Sequence, residues 1–248
     1  ENLIKNFCVE VKATEARNFY AFQGMIENIH GMTYALLLDT FVKDKKRKEN
    51  LFNAIETIPC IKKKADWAMK WMNPERFFEE RVIAFSIVEG IFFSASFASI
   101  FWLKSRNKMT KALGKSNELI SRDERLHCEF AVLIYEHLNN KITQERIEEI
   151  LREAVDIEIE FITESLPVSL LGMNCNLMTE YIKYVADRWL SLLEYPKLYN
   201  AVNPFAFMEL ISMTSKTNFF EHKETNYQRP SVNTTEKEKT LEFDDFDF

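Results

Sequence analysis

Apolar positions recur at spacings of three and four residues along most of this chain, which is the periodicity of amphipathic α-helices. The pattern predicts helices at 14–41, 51–58, 61–72, 116–138, 144–165 and 174–193. Residues 43–50 are polar and are predicted to form a connection, and prolines at 59, 74 and 167 interrupt the pattern where helices are expected to end. We therefore predict an all-α domain over residues 1–213.

The stretch 82–103 would form a helix that is apolar on every side, and it contains a single ionisable residue, Glu89. Its length would permit a membrane span. Because four serines dilute it and no other segment resembles a span, we predict the buried central helix of a bundle and no membrane contact. A buried, ionised carboxylate is costly without a partner, and a metal cation would neutralise it.

Composition narrows the class of protein. The 248 residues include 5 glycines and 6 prolines, which are too few turn residues for a sheet protein of this size. The net charge is −6 and no basic cluster is suited to nucleic acid, so no nucleic-acid partner is expected. The four cysteines lack CxxC spacing, which indicates reduced thiols in the cytoplasm rather than disulfides.

Two Glu-x-x-His motifs carry the strongest chemical signal: Glu27 with His30, and Glu124 with His127. Residues three apart share a helix face, so each motif directs a carboxylate and an imidazole to one point. Two such helices, with carboxylates from two others, form the two-metal centres of ferritin-like bundles. A single copy often occurs by chance on a surface helix, but two copies together with Glu89 favour iron or manganese.

Several neighbours of these motifs have two possible roles. Tyr34 follows the first motif on the same helix face, where it is either a redox partner of the metals or an ordinary core tyrosine. Asp123 adjoins the second motif, where it either orients a ligand histidine or is a surface acid. Three apolar residues one or two turns from the ligands would wall the site or simply pack the core: Phe93, Phe97 and Ile120.

Longer segments resemble the small subunit of class I ribonucleotide reductase, and together they cover nearly the whole chain. The resemblance lies in residues 15–34, 52–60, 62–68, 88–94, 116–128, 172–175 and 203–205. The segment 116–128, SNELISRDERLHC, is close to the eukaryotic version of the family. The resemblance implies a ferritin-like helical bundle that holds two iron ions, although the same ligand types accept manganese.

The resemblance also implies a role for each candidate. The metal ligands would be Glu27, His30, Glu89, Glu124 and His127. Tyr34 would be oxidised to a stable radical inside a protective pocket of Phe93, Phe97 and Ile120. Asp123 and Tyr227 would relay the oxidising equivalent to a large partner subunit, where ribonucleoside diphosphates are reduced to deoxyribonucleotides.

Residues 214–248 are predicted to form a disordered, acidic C-terminal tail, because helical periodicity fades and residues 231–248 hold six acids and two lysines. Near its end, Phe243, Phe246 and Phe248 alternate with acids. This pattern predicts a docking peptide that orders in a groove on the large subunit. A homodimer of the small subunit is a further expectation from the family.

One expected ligand lies outside the chain. In the family, the carboxylate from the fourth helix is an aspartate upstream of the segment where this chain begins, and a relay tryptophan is expected there too. Glu15 cannot replace that aspartate, because it shares a helix with Glu27 and lies about 120° away around it. We therefore expect an N-terminally truncated form that by itself binds metal weakly and forms little radical.

Two other functions are compatible with the ligand pattern. A ferritin-like iron oxidase would share the ligands but would need neither Tyr34 nor the phenylalanines of the tail. A non-catalytic family member would only stabilise an active subunit within a dimer.

Overall fold

The computed structural model describes residues 4–165 and 172–208, and this part of the chain contains ten α-helices, besides residues 206–208, which are also helical. The all-α prediction is confirmed there. Tyr227, the tail phenylalanines and the rest of the predicted tail lie outside the described residues. The helices are α1 (Lys5–Glu10), α2 (Thr14–Phe41), α3 (Lys45–Phe52), α4 (Ala54–Thr57), α5 (Pro59–Trp71), α6 (Phe78–Gly90), α7 (Ser94–Ser105), α8 (Ala112–Glu136), α9 (Gln144–Ser165) and α10 (Cys175–Leu192).

Helix α6 forms the centre of the bundle. Every residue from Glu80 to Glu89 is buried, and the helix packs against α8, α5 and α9. At its outer end the charged groups are paired: Arg81 donates to Glu10 of α1, and Arg146 of α9 donates to Glu80 at 2.8 Å. A helix enclosed in this way needs no polar face, which explains the unbroken apolar stretch in the sequence.

The same stretch is apolar enough to be considered as a membrane span. Residues 78–105 pass that test by length and composition, with a mean hydropathy of 1.8 over an 18-residue window. However, 72% of this window is buried inside the protein. The burial favours the predicted core helix, because neighbouring helices already cover the apolar surface.

Helices α2 and α8 carry the two Glu-x-x-His motifs and pack against each other, while α8 also packs against α6. The observed bounds of α2, Thr14–Phe41, are those that the periodicity predicts. Helix α8 begins at Ala112, four residues before the predicted start, and ends at Glu136. The two motifs therefore lie on long, adjacent helices.

Several features differ from the prediction. The predicted helix 51–58 is divided at Asn53 between α3 and α4, and α5 begins at Pro59 rather than at residue 61. The stretch 82–103 is not one helix, because α6 ends at Gly90 and α7 begins at Ser94. The predicted connection at 43–50 is mostly helix α3, which starts where the Asp44 carboxylate accepts from the Arg47 N–H at 2.7 Å. Helix α1 is too short to show periodicity, and it is held by Phe7, which is buried and stacked on Tyr20.

Candidate metal centre

Three helices bring the five predicted ligands together. Helix α2 supplies Glu27 and His30, α6 supplies Glu89, and α8 supplies Glu124 and His127. The spacing of three residues in α2 and α8 points each glutamate and histidine of a motif in the same direction. Ligand atoms of Glu27, Glu89, Glu124 and His127 all lie within 4.8 Å of one another.

The two imidazoles face the carboxylates through their Nδ1 atoms. His127 Nδ1 lies 3.0 Å from Glu27 Oε1, 3.5 Å from Glu124 Oε2 and 3.6 Å from Glu89 Oε2. His30 Nδ1 lies 3.0 Å from Glu124 Oε1 and 3.5 Å from Glu27 Oε2. Because Glu27 and Glu124 each place one oxygen near each histidine, the arrangement has two adjacent positions that a pair of metal ions could occupy.

The polar atoms at the centre of this cluster lie within ion-pair distance of one another but make no aligned hydrogen bond within the described part of the chain. One buried atom from each of the five residues is unsatisfied: Glu27 Oε1, His30 Nδ1, Glu89 Oε2, Glu124 Oε2 and His127 Nδ1. Buried polar groups left unpaired cost free energy, so five that converge on one point require an explanation. Carboxylate oxygens and imidazole nitrogens suit iron and manganese, and a bound cation would satisfy all five atoms.

The charges of the cluster are strongly coupled. Burial lowers the pKa of His30 and of His127, but the surrounding carboxylates outweigh burial and raise each pKa to about 11. Burial raises the pKa of Glu89 above its usual range. Burial also raises the pKa of Glu124, but contacts with both histidines bring it down to about 2. Divalent cations would take the place of the protons on the imidazoles, because a histidine that ligates a metal must be neutral.

Asp123 lies where the sequence places a partner for a ligand histidine. His30 Nε2 and Asp123 Oδ2 are 3.1 Å apart, a hydrogen bond that joins α2 to α8. This contact holds the outer nitrogen of the ring, so that Nδ1 faces the carboxylate cluster. The structure thus favours the orienting role of Asp123 over that of an unattached surface acid.

Gln23 belongs to the site but is missing from the sequence-based predictions. It is fully buried on α2, and its Nε2 donates to Glu89 Oε1 at 3.4 Å. The bond holds one oxygen of Glu89 and leaves the other, Oε2, in the cluster. A polar residue four positions before Glu27, on the same helix face, was the signal that could have identified it.

Tyr34 lies on the ligand-bearing face of α2, but the described residues do not enclose it. Its side chain is 39% exposed, and partial burial together with the charges of Glu124 and Glu27 raises its pKa to about 12. Of the predicted pocket, Ile120 is buried, whereas Phe93 is 41% exposed and its ring centroid lies 6.2 Å from that of Phe97. Tyr34 and Phe93 are therefore both partly exposed to solvent in this part of the chain.

A fourth carboxylate does not join the three glutamates within residues 4–165 and 172–208. Glu15, on the first turn of α2, is exposed to solvent, as its position around the helix predicts. The described residues thus bring together five candidate ligands, four of which have ligand atoms within 4.8 Å of one another, with His30 beside them.

Comparison with known proteins identifies relatives of the whole described region. The family model for the small chain of ribonucleotide reductase matches residues 1–204. The chain is 58% identical to a ribonucleoside-diphosphate reductase small chain of Variola virus over 236 residues, which cover 95% of this chain and 74% of the relative. It is 56% identical to subunit M2 of the same enzyme from Rattus norvegicus over 247 residues, which cover 98% of this chain and 63% of the relative.

A solved structure supports the same relationship. The fold superposes on the ribonucleotide reductase Rnr4 homodimer from Saccharomyces cerevisiae with a TM-score of 0.75 and 38% identity. The match covers 86% of this chain and 69% of that one. The chain therefore spans roughly two thirds to three quarters of these relatives.

Proposed function

Because this chain belongs to the family of ribonucleotide reductase small chains, we propose that it is the radical-generating subunit of a class I ribonucleoside-diphosphate reductase. The observation that carries the proposal is the convergence of five buried, unsatisfied ligand atoms from α2, α6 and α8, with Tyr34 on the same face of α2 as Glu27 and His30. A site that only stored metal would not need a tyrosine at this position. The subunit works in the cytoplasm and contacts neither nucleic acid nor membrane.

The metal ligands are Glu27, His30, Glu89, Glu124 and His127, and the two ions are iron, with manganese as the alternative that the same donor set accepts. Ions held by these residues in reduced form would supply, together with oxygen, the oxidising power for the reaction, and Tyr34 would lose an electron and its phenolic proton. Glu27 and Glu124 each place one oxygen near each histidine, so each carboxylate is close to both imidazoles.

The protein residues around the metals control where the oxidising equivalent goes. Tyr34 stores it as a radical, and Phe93, Phe97 and Ile120 keep water and reductants away. The hydrogen bond between Asp123 and His30 gives the relay a route from the metals towards the helix surface. Tyr227 continues the relay to the large subunit, and the tail docks there through Phe243, Phe246 and Phe248.

A second copy of the chain is the partner for the outer face of α2. Five apolar residues on this face are between 45 and 69% exposed and follow spacings of three and four residues: Phe22, Met25, Ile29, Met32 and Leu36. We call this set the α2 stripe. Alternating spacings of three and four form a seam along which two helices pack, and the homodimer of the yeast relative favours self-association.

The experiment that tests the radical assignment is EPR spectroscopy after anaerobic loading with iron(II) and exposure to oxygen. Whatever the yield, the tyrosyl signal is expected to disappear in Tyr34→Phe while iron oxidation, followed by absorbance, continues. Tyr20→Phe is the matched control. Tyr20 is buried on the same helix, but burial rather than a neighbouring carboxylate raises its pKa.

The outcomes separate the three functions. A tyrosyl signal that survives Tyr34→Phe would contradict the assignment of the radical. Iron oxidation with no tyrosyl signal in the unmodified chain would favour a ferritin-like iron oxidase, and a chain that takes up no metal would favour a non-catalytic subunit.

A further inference from the structure

The interruption between α6 and α7 lies next to the metal centre. Residues 91–93 separate the two helices, and they begin two positions after the ligand Glu89. The segment includes Phe93, one of the residues proposed to shield Tyr34. The position of this interruption therefore affects both a ligand and the apolar wall.

Two charged side chains from other helices bind the backbone within the interruption and just after it. Lys64 of α5 donates to the carbonyl oxygen of Phe92, and Glu158 Oε1 of α9 accepts from the N–H of Ala95 at 3.3 Å. The same two side chains pair with each other, with Lys64 Nζ 2.6 Å from Glu158 Oε2. One ion pair thus satisfies a carbonyl at the end of the break and an amide in the first turn of α7.

This ion pair is enclosed by the protein. Glu158 has no exposed surface, and the Lys64 ammonium lies 4.1 Å from the ring centroid of Phe161 and 5.2 Å from that of Phe92. Desolvation offsets most of the attraction in a buried pair, and apolar residues of similar volume often give equal or greater stability. Net stabilisation therefore does not explain why a charged pair occupies this position.

The opposite side of the α6 end is fixed by close contact. A Cβ atom added to Gly90 would lie 2.8 Å from the sulfur of Cys128, the neighbour of the ligand His127 on α8. The last turn of α6 thus has no room to move towards α8. The Lys64–Glu158 pair acts from the side of α5 and α9.

We propose that Lys64 and Glu158 are positioning residues that hold the interruption at residues 91–93, so that Glu89 and Phe93 keep their places around the metal centre. Neither residue touches the ligands, and both act through the backbone of Phe92 and Ala95. The purpose of the interruption rests on the proposed function. The contacts that Lys64 and Glu158 make with the backbone do not depend on bound metal.

The test compares two double variants at pH 8. Lys64→Met/Glu158→Met removes the proposed restraint and leaves apolar side chains in its place. Lys63→Met/Glu160→Met makes the same substitutions in an exposed ion pair that joins the same two helices and does not contact the interruption. The first readout is hydrogen exchange of residues 91–97 in the metal-free full chain, and the second is Mn²⁺ affinity by EPR of the free ion.

The expected result is at least about tenfold faster exchange at residues 91–95 in the Lys64/Glu158 variant, with wild-type exchange in α10 and in the control. Its Mn²⁺ affinity is expected to fall by about tenfold, the effect typical of residues that position metal ligands. Wild-type exchange at 91–95, or an equal rise in the control variant, would overturn the proposal.

Two further results would have to be interpreted separately: a variant that does not fold, and a wild-type chain that binds no Mn²⁺. If the Lys64/Glu158 variant does not fold, Glu158→Gln decides, because it keeps an acceptor for the Ala95 N–H but loses the charge that faces Lys64. Faster exchange confined to residues 91–95 would support the proposal, and unchanged exchange would refute it. If the wild-type chain takes up no Mn²⁺, the proposed metal function is contradicted, while exchange still tests the restraint.

Discussion

Helices α2 and α6 both supply candidate metal ligands, yet their surroundings are opposite. Helix α6 is buried on every side from Glu80 to Glu89, whereas α2 turns its ligands inward and leaves the α2 stripe in solvent. Neighbouring residues therefore constrain a side chain between Glu80 and Glu89 of α6 in all directions. A side chain of the α2 stripe is largely exposed within the described chain. The candidate ligand on α6 is held by packing on every side of its helix. Those on α2 are held by the packing of one helix face only.

The largest difference between the two helices is expected for isoleucine truncation. Ile87→Ala on α6 removes a side chain with no exposed surface and should cost about 3 kcal/mol of unfolding free energy. Ile29→Ala on the α2 stripe should cost less than about 0.5 kcal/mol at protein concentrations where the chain is monomeric. Urea denaturation measures both, and equal costs would contradict the contrast between the helices.

The α2 stripe should matter for association rather than for folding. Met32→Glu places a charge in the middle of the stripe and is expected to weaken self-association by about 100-fold, which sedimentation velocity would detect. Asn28→Glu adds the same charge to an exposed position of α2 beside the stripe and should leave association nearly unchanged. Equal association of both variants would show that a second copy does not cover this face.

A third effect arises where α9 meets the end of α6. Burial, opposed by Lys64, raises the pKa of Glu158 from 4.5 to about 7. Below pH 4.5 the carboxyl is protonated in both folded and unfolded chains, and between pH 4.5 and 7 mainly the unfolded chain loses the proton. The wild type should therefore lose on the order of 1–2 kcal/mol of stability across this window relative to Glu158→Gln.

Urea denaturation at pH 5, 6, 7 and 8 checks this prediction, and Glu160→Gln is the control because Glu160 lies on the same helix with a side chain that is 38% exposed. A stability difference between wild type and Glu158→Gln that does not change from pH 5 to 8 would contradict it.

The smallest expected effects concern one glycine in each helix. Gly90→Ala in α6 would bring Cβ within 2.8 Å of Cys128 Sγ, and the clash should outweigh the better helix propensity for a net cost of about 1 kcal/mol. Gly31→Ala in α2 meets no atom within 4 Å and should stabilise the chain by about 0.5–1 kcal/mol. Thermal unfolding measures both, and Cys128→Ala should relieve the cost at Gly90.

The ligands and their partner were accessible to sequence reasoning because each one belongs to a local pattern. Three-residue spacing within a helix places Glu27 with His30 and Glu124 with His127 without knowledge of the fold. The contact between His30 and Asp123 was also expected, from the position of Asp123 beside the second motif and from the family resemblance. Their functional roles remain proposals that the experiments above test.

Lys64 and Glu158 were not accessible in the same way, and for Gln23 spacing could indicate only its place on the ligand face of α2, not its partner. Gln23 reaches Glu89 on another helix, and Lys64 and Glu158 meet the α6–α7 interruption from α5 and α9. No short-range spacing relates these residues to their partners, and a glutamate in an amphipathic helix normally faces water. Their burial depends on how the helices are arranged in space.

The sequence by itself determined the helical class, the bounds of α2 and the alignment of each Glu-x-x-His pair, because these depend on the period of the α-helix. The tertiary structure alone decided that the apolar stretch 82–103 is interrupted and that Tyr34 is only partly covered by the described residues. A uniformly apolar segment carries no contrast that marks a break. At the break, an ion pair from two distant helices binds backbone groups that a continuous helix would keep for itself, and this contact is visible only in the tertiary structure.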